Sequence, residues 1–393
     1  MKTLSLLLAV WMLLGTALGE QRAITVGDRG EDVFQIKERL QELRYIRNSS
    51  LSRKFTEKNA EAVKEFQKQN GLTETGIVDE TTWRILFSAD AVKKPYPRLK
   101  QLADQAGRAE PDWPQRDSEG FLISGDEYIY ENDQDGLWVY LNSSLQVTVT
   151  RCIDPSIPLV WFETDIRTRE GEYFRTVMTD EKHPGKKFQY PYIIARNEKF
   201  VLGFSDDFYA NRMADGEKVG IIIRNGTIIS TDTNRNVSHH LPNLDMMAQY
   251  RDGHAEVYAC NEITADELIA RGAYNVFSFG PILIRDGEIN EQVYTYYRSI
   301  EPRHALGMIS PNHYLLLSVE GRTIESKGTM LQRVAEMMQD RGVRQALNLD
   351  GGNTMALIFR GRMLNKLATY KKKKFVRTVT SLIGIGYTEQ QAD

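Results

Sequence analysis

The chain has 393 residues, 41% hydrophobic and 26% charged, an ordinary composition for a soluble protein with room for two or three domains. Its formal net charge of -3 argues against a general nucleic-acid binder, which needs a basic surface to meet phosphates. Only two cysteines follow, Cys152 and Cys260, which excludes a disulfide-dense scaffold and offers no zinc spacing.

The first element is an expected signal peptide over residues 1–19. Lys2 supplies a positive start, Leu4 to Leu14 an apolar run, and Ala17-Leu18-Gly19 the small residues that a signal peptidase reads. The run is short for a membrane span, a retained anchor being the alternative, and no later segment is long and apolar enough to cross a bilayer. After cleavage the chain is expected to be secreted, with no membrane span. Export permits a disulfide between the two cysteines, and two buried thiols fit the sequence equally.

Residues 24–90 read as a small all-α three-helix bundle. Val33, Ile36, Leu40 and Leu43 recur at helical spacing behind Glu31 and Asp32, acids placed where they favour a helix start. Thr56 is the predicted N-cap of a second helix with Ala60, Val63 and Phe66 on one face, and Asn70-Gly71-Leu72 stops it. Asp79 caps a third, whose apolar side is Trp83, Leu86 and Phe87. Three segments, Val26 to Val33, Ala62 to Leu72 and Thr75 to Asp79, resemble in order the peptidoglycan-binding modules of bacterial wall enzymes. The resemblance implies docking to peptidoglycan and no chemistry. The stretch Asn48 to Lys54 departs from it, lacking the acidic, Gly-rich loop usual there. Residues 91–118 read as a Pro- and charge-rich linker with room for a helix around Leu99 to Ala106.

Residues 119–388 read as an α+β domain with a mixed or antiparallel sheet. Val219 to Ile223 leads into Asn225-Gly226, a hairpin turn needing positive φ. The same device recurs at Asp286-Gly287, at Glu320-Gly321 after the strand Tyr314 to Val319, and at Arg360-Gly361. A helix is expected to open with the capping-box pair Thr329 and Gln332 and to bury Leu331, Val334, Ala335 and Met338. The strand Ala346 to Leu349 then delivers Asp350 to Gly351-Gly352.

Four segments of this domain resemble the phosphodiester glycosidase family: Val201 to Tyr209, Phe277 to Gly287, Pro302 to Gly307, and Asn348-Leu349-Asp350-Gly351-Gly352-Asn353-Thr354-Met355. The resemblance implies hydrolysis of a sugar-1-phosphodiester of the N-acetylglucosamine type. In that reaction the leaving group is a phosphate monoester, with a second pKa of about 6, which departs with little help from an acid. The harder tasks are to stabilise an oxocarbenium-like centre and to hold the anion, so carboxylates and an arginine are needed.

The resemblance implies Asp207, Arg303 and Asp350 as catalytic residues, with Arg303 suited to bidentate phosphate contact. It implies Asn348, Gly280, Gly351, Gly352, Asn353, Thr354, His304 and Arg377 as substrate-binding residues. The Gly-Gly turn would let the main chain approach a ligand and present N–H groups to phosphate. Bland readings stand beside these. Asp350 before Gly is a common turn former, Asp207 could cap a turn or pair with Arg212, and Arg303 could pair with Glu301. Two substitutions depart from the family pattern, Ser205-Asp206 for Asn-Gly and Asn353 for Gly. His239-His240 points to opposite sides of an extended chain and carries no metal reading. No cofactor or metal site is assigned, although two aspartates and a phosphate could share a divalent ion. The run Lys371 to Lys374 is a solvated loop or a contact for an anionic wall polymer. The expected protein is therefore a wall-associated hydrolase acting on a phosphodiester-linked glycan, the alternative being a non-catalytic protein that binds phosphorylated polysaccharide.

Overall fold

A computed structural model describes residues 22–46, 52–106, 111–169, 171–183, 186–207, 209–216, 218–232, 244–295, 298–370 and 373–392. The signal peptide, His239-His240, Lys371 and Lys372, and most of the Asn48 to Lys54 stretch lie outside these residues. The chain divides between Tyr96 and Pro97 into two units. No helix among the described residues is long and apolar enough to cross a membrane.

In the first unit, α1 (Glu31–Glu42), α2 (Glu57–Gln69) and α3 (Glu80–Leu86) enclose a core of Val33, Ile36, Leu40, Leu43, Phe55, Val63, Phe66 and Leu86. Asp79 caps α3 by accepting from the Thr82 amide at 2.7 Å. At α2, Asn59 accepts from the Thr56 amide at 2.9 Å, and Asn70-Gly71 ends the helix with Gly71 at φ 68°. The unit is knotted at Gln67, which is 1% exposed. Its Nε2 donates to Thr75 Oγ1, the Ile77 carbonyl and Thr82 Oγ1, and its Oε1 accepts from the Gly76 amide.

The second unit is α+β. It opens with α4 (Pro97–Gln105), inside the stretch read as linker, and buries Leu99. Four strands follow as a meander: β1 (Tyr128–Asn132), β2 (Leu137–Leu141), β3 (Leu145–Asp154) and β4 (Leu159–Thr168). Then come β5 (Arg175–Met178), α5 (Pro191–Asn197), β6 (Leu202–Phe204), α6 (Tyr209–Ala214), β7 (Ile221–Arg224) and β8 (Thr227–Thr231). The chain continues through β9 (Asp245–Tyr250), β10 (Ala255–Tyr258), α7 (Ala265–Ala270), β11 (Ala273–Phe279), β12 (Ile282–Arg285), β13 (Glu288–Ile289) and α8 (Gln292–Thr295). It closes with β14 (Arg303–Ser310), β15 (His313–Val319), α9 (Leu331–Gln339), β16 (Gln345–Leu349), β17 (Leu357–Phe359), β18 (Arg362–Met363), β19 (Thr369–Tyr370), β20 (Lys373–Lys374) and β21 (Ser381–Ile385).

Among the described residues these strands form a nine-stranded sheet in the order β1-β2-β3-β4-β15-β14-β16-β12-β13, with two five-stranded sheets, β10-β9-β11-β7-β8 and β18-β17-β6-β21-β5, and the pair β19-β20. The strand pairs are antiparallel. The main core lies where the three sheets face one another and contains Phe162, Leu306 and Leu347, Met247 and Phe277, and Phe204, Leu357 and Ile383. The other face of the large sheet is covered by α9, through Leu331, Val334, Ala335 and Met338 against Ala305, Leu317 and Ala346.

Three of the four expected hairpins form, with left-handed pairs at Asn225-Gly226, Asp286-Gly287 and Arg360-Gly361. Glu320-Gly321 is not a hairpin. The hairpin partner of β15 is the preceding strand β14, joined through Asn312 at φ 64°, while a Cβ at Gly321 would crowd the Pro302 nitrogen. The capping box at Thr329 and Gln332 does not form either. The helix begins at Leu331 behind Met330, and Gln332 Nε2 instead donates to Glu336 at 2.8 Å.

Candidate active site

The four segments singled out in the sequence meet where β6, β11, β14 and β16 end. In the register of β14 and β16, His304 faces Leu349 and Ala305 faces Asn348. Continuing that register by one residue sets Arg303 opposite Asp350. Both line a cleft of about 230 Å³ with Phe279, Glu301, Arg322, Asn348, Gly351 and Gly352.

Asp350 is positioned by its own turn. Its amide donates to the Asp206 carbonyl at 3.3 Å, which ties β16 to the end of β6. Its side chain is hydrogen-bonded to Thr354, whose Oγ1 also accepts from Arg377 Nη1 at 2.9 Å. Burial pushes the Asp350 carboxyl up to about 6; Thr354, Arg377 and Arg212 pull against that shift, and the negative charge of Asp207 adds to it. The residue keeps a partly exposed edge at the cleft. A carboxyl that ionises near neutrality and is open to a ligand is a common arrangement for catalysis.

The glycines of the turn act differently from the expectation. A Cβ on Gly351 would overlap the Pro302 carbonyl oxygen, so the close approach it permits is to the strand bearing Arg303. Gly352, at φ 57°, donates its amide to that same carbonyl at 3.1 Å, and Thr354 and Met355 donate to the Gly351 carbonyl. These amides are spent inside the fold.

Arg303 is fixed by Nε donating to the Thr329 carbonyl at 3.1 Å and Nη2 donating to the Ser299 carbonyl and hydroxyl. Burial lowers its guanidinium to about 10, with Arg322 adding to the lowering and Glu301 opposing it, so it remains a cation at neutral pH. Glu301 does not pair with Arg303; it pairs with Arg322 at 2.7 Å. Arg322 also donates to Asn353 Oδ1 at 2.8 Å, and Asn353 Nδ2 donates to the Ala368 carbonyl. Asn353 is thus a strut between Arg322 and the Ala368 carbonyl. Two arginines stand against the paired Glu301 and Asp350, so the cleft holds cations for a phosphodiester beside a carboxyl.

Asp207 sits beneath the cleft and is fully buried. Its Oδ1 accepts from Arg224 Nη2 at 2.7 Å and its Oδ2 from the Ser278 amide at 2.8 Å. Arg212 binds the Asp207 carbonyl at 3.1 Å and the Ser278 carbonyl at 2.9 Å, while the carboxylate itself pairs with Arg224. Beside this pair, Asp206 accepts from the Ser381 hydroxyl and lies 3.9 Å from Arg224. Gly280 and Asn348 hold the floor together, the Gly280 amide donating to the Asn348 carbonyl at 3.0 Å and Asn348 Nδ2 to the Gly280 carbonyl at 2.8 Å. The buried Asn348 Oδ1 has no hydrogen-bond partner among the described residues.

His304 is not at the cleft. It follows Arg303 on a strand and points to the opposite face. There it is fully buried, hydrogen-bonded through Nδ1 to Ser318 and packed on Phe204, and burial holds it at about 3, hence neutral. The sequence reading also passed over Arg224, Arg322 and Phe279. A lone arginine closing the apolar run Ile221-Ile222-Ile223 was the available sign for the first of these. A larger cavity, about 850 Å³, is lined by Asp245, Cys260, Glu262, Arg285, Asp286 and Glu288 among others. Its arginine is neutralised by Glu262 at 2.8 Å and its remaining charges are carboxylates, so it repels a phosphate.

Residues 198–386 match the family model described as phosphodiester glycosidase, and residues 29–86 match that of a peptidoglycan binding domain. The SPbeta prophage-derived uncharacterized protein YomE of Bacillus subtilis (strain 168) is 26% identical over 183 residues, which is 46% of this chain and 27% of that protein. The chain thus spans about a quarter of that relative's length. Among solved structures, the catalytic domain of zebrafish N-acetylglucosamine-1-phosphodiester alpha-N-acetylglucosaminidase, auto-inhibited by its pro-peptide, is similar at 16% identity. That likeness covers 67% of this chain and 89% of that one, with a TM-score of 0.48. A hypothetical protein from Synechocystis is similar at 13% identity, covering 62% of each chain, with a TM-score of 0.40.

Proposed function

We propose that this chain, which carries a phosphodiester glycosidase domain behind a peptidoglycan-binding domain, is an exported, wall-associated hydrolase that cleaves the glycosidic bond of a sugar-1-phosphodiester. The observation that carries the reading is the pairing of Arg303 and Asp350 across one cleft, an arginine for the phosphate beside a carboxyl that burial has pushed to about 6.

In this reading Arg303, with Arg322 beside it, holds the phosphate and takes up the charge that grows on it as the C–O bond breaks. Asp350, ionised above its pKa, lies against the sugar and stabilises positive charge at the anomeric carbon. Thr354 and Arg377 keep that carboxyl ionisable despite its burial. Asp207 and Arg224 are the buried support beneath it. The first domain concentrates the enzyme on peptidoglycan.

The test is turnover of an aryl or UDP-linked α-N-acetylglucosamine phosphodiester by the wild-type chain, Asp350→Ala and Arg303→Ala. Turnover by the wild type that falls at least about a hundredfold in both variants supports the reading. The involvement of Asn353 with Arg322 gives the rival its one specific support, because it restrains a cation that could otherwise close on a ligand. Tight binding of a phosphorylated glycan with no turnover of any sugar phosphodiester would establish that rival, a binding protein.

A further inference from the structure

Four charged side chains line the cleft, Glu301, Arg303, Arg322 and Asp350. The two arginines are engaged unequally. Arg322 has a partner at each nitrogen: Nε donates to Glu301 Oε2 at 2.8 Å, Nη2 lies 2.7 Å from the same oxygen, and Nη1 donates to Asn353 Oδ1 at 2.8 Å. The hydrogen bonds of Arg303 to Thr329 and Ser299 use Nε and Nη2, which leaves Nη1 for a ligand oxygen.

Glu301 acts on both cations. It pairs with Arg322 directly, and it opposes the lowering of the Arg303 guanidinium to which Arg322 contributes. Its place is fixed by the backbone. The Glu301 amide donates to the Thr329 carbonyl at 3.2 Å, and the Thr329 amide donates back at 2.9 Å. That same Thr329 carbonyl accepts from Arg303 Nε. A Cβ on Gly328, at φ 97°, would overlap the Glu301 carbonyl. The side chains of Arg322 and Glu301 are 32% and 34% exposed, so salt and water screen the pair only in part.

The reaction proposed for this cleft changes the charge on the phosphate. Water gives its oxygen to the anomeric carbon and releases a proton, the glycosidic C–O bond breaks, and its electron pair stays on the phosphate oxygen. A phosphodiester with one negative charge becomes a monoester, which carries two above its second pKa of about 6. The Glu301–Arg322 pair is neutral as a unit, and Arg303 has a nitrogen for the first charge. A second charge on the ligand would fall beside the carboxylates of Glu301 and Asp350.

We propose that Glu301 is a specificity-determining residue, which cancels the charge of Arg322 so that the cleft accepts a singly charged phosphodiester and disfavours a doubly charged phosphate monoester. Glu301 thereby governs both which phosphate enters and how readily the phosphate product departs. The inference rests on the phosphodiester reading of the cleft and adds its selectivity for charge.

The experiment measures binding to the full chain by calorimetry at about pH 8. Both probes are phosphonates of α-N-acetylglucosamine in which a CF2 group replaces the anomeric oxygen, so the bond to be hydrolysed is absent. One is the monomethyl ester, with a single charge, and the other is the free phosphonate, with two. The wild type is expected to bind the ester about tenfold more tightly, the order of one charge–charge contact at a partly exposed site. Glu301→Gln, which keeps the shape and removes the charge, should abolish that preference by tightening the free phosphonate. Glu301→Asp should retain it, and Arg322→Gln should widen it. Glu301→Gln combined with Arg322→Gln has the net charge of the wild type and should restore the wild-type preference, which a purely structural role for Glu301 would not do. Equal binding of the two probes by the wild type overturns the proposal, as does a preference for the free phosphonate, a preference unchanged in Glu301→Gln, or a double variant that behaves like Glu301→Gln. The expected preference in a chain that turns over no sugar phosphodiester would uphold the selection by charge and remove the hydrolase reading alone.

Discussion

Arg224 Nη2 lies 2.7 Å from Asp207 Oδ1, with both side chains shut off from solvent and the guanidinium held 4.6 Å from the Tyr209 ring centre and 4.7 Å from that of Phe277. Removing one member of such a pair leaves a buried charge unmatched, which costs about 3–5 kcal/mol, whereas replacing both by apolar groups costs much less. Arg224→Ala is therefore expected to lower the unfolding free energy of the second unit by that amount in urea titration. Arg224→Met with Asp207→Leu should recover most of the loss. A double variant no more stable than the single one would show that the pair supports the fold through more than its charges.

The pH dependence follows from Asp350. Its carboxyl is raised to about 6 in the folded chain against an ordinary value near ~3.9. The folded state thus holds this proton more tightly than the unfolded state, so the group's stabilising contribution is present below about pH 4 and is lost as pH rises through about 6. Asp350→Asn should stabilise the protein by about 1–3 kcal/mol at pH 8 and hardly at all at pH 4. Over the same range kcat/KM of the wild type should fall below pH 6 as the carboxylate is protonated. Melting curves and rate profiles at matched pH check both; a stability gain equal at the two pH values would contradict the first.

Thr354 links Arg377 to Asp350. Its hydrogen bond lowers the Asp350 pKa, so Thr354→Val should raise it and move the acid limb of the rate profile to higher pH. Thr354→Ser keeps the hydroxyl and should leave the limb where it is. An unshifted limb in the valine variant would remove Thr354 from the control of Asp350.

In the first unit, Gln67 ties four groups of the 75–82 segment to α2. Gln67→Leu would leave the Gly76 amide and the Thr82 hydroxyl without these partners in the interior, at about 1–3 kcal/mol for each group left unsatisfied. Heating followed by circular dichroism should show this unit melting earlier, with loss of sedimentation on isolated peptidoglycan at the same temperature. Melting at the wild-type temperature would show that the helix core alone fixes the 75–82 segment.

Much of this molecule was legible in the sequence because it is written in local chemistry. The 3.6-residue spacing of Val33, Ile36 and Leu40, the Asp79 cap and the positive-φ turns at Asn225, Asp286 and Arg360 require only neighbours in the chain. The Glu320-Gly321 turn was misread because Gly321 answers to Pro302, a distant residue that crowds it. The site divides in the same way. Arg303, Asn348, Asp350 and Gly351 meet at one cleft as the four segments suggest, but the roles of the glycines depend on the Pro302 carbonyl, which no local pattern reveals. His304 was drawn in by its neighbour, although adjacent strand residues face opposite ways. Arg224 was overlooked because its partner, Asp207, is seventeen positions away on another element.

Arg303 opens β14 and Asp350 directly follows its neighbour β16 inside the large sheet, and the turn bearing Asp350 is pressed onto the backbone beside Arg303 at Pro302. Their spacing is consequently set by an amide ladder and not by a loop that must fold over the ligand. A ligand arriving there meets a ruler already cut to length. Association should be fast, weakened by added salt and largely free of a slow closing step, and differences in affinity among ligands should appear in how quickly they leave.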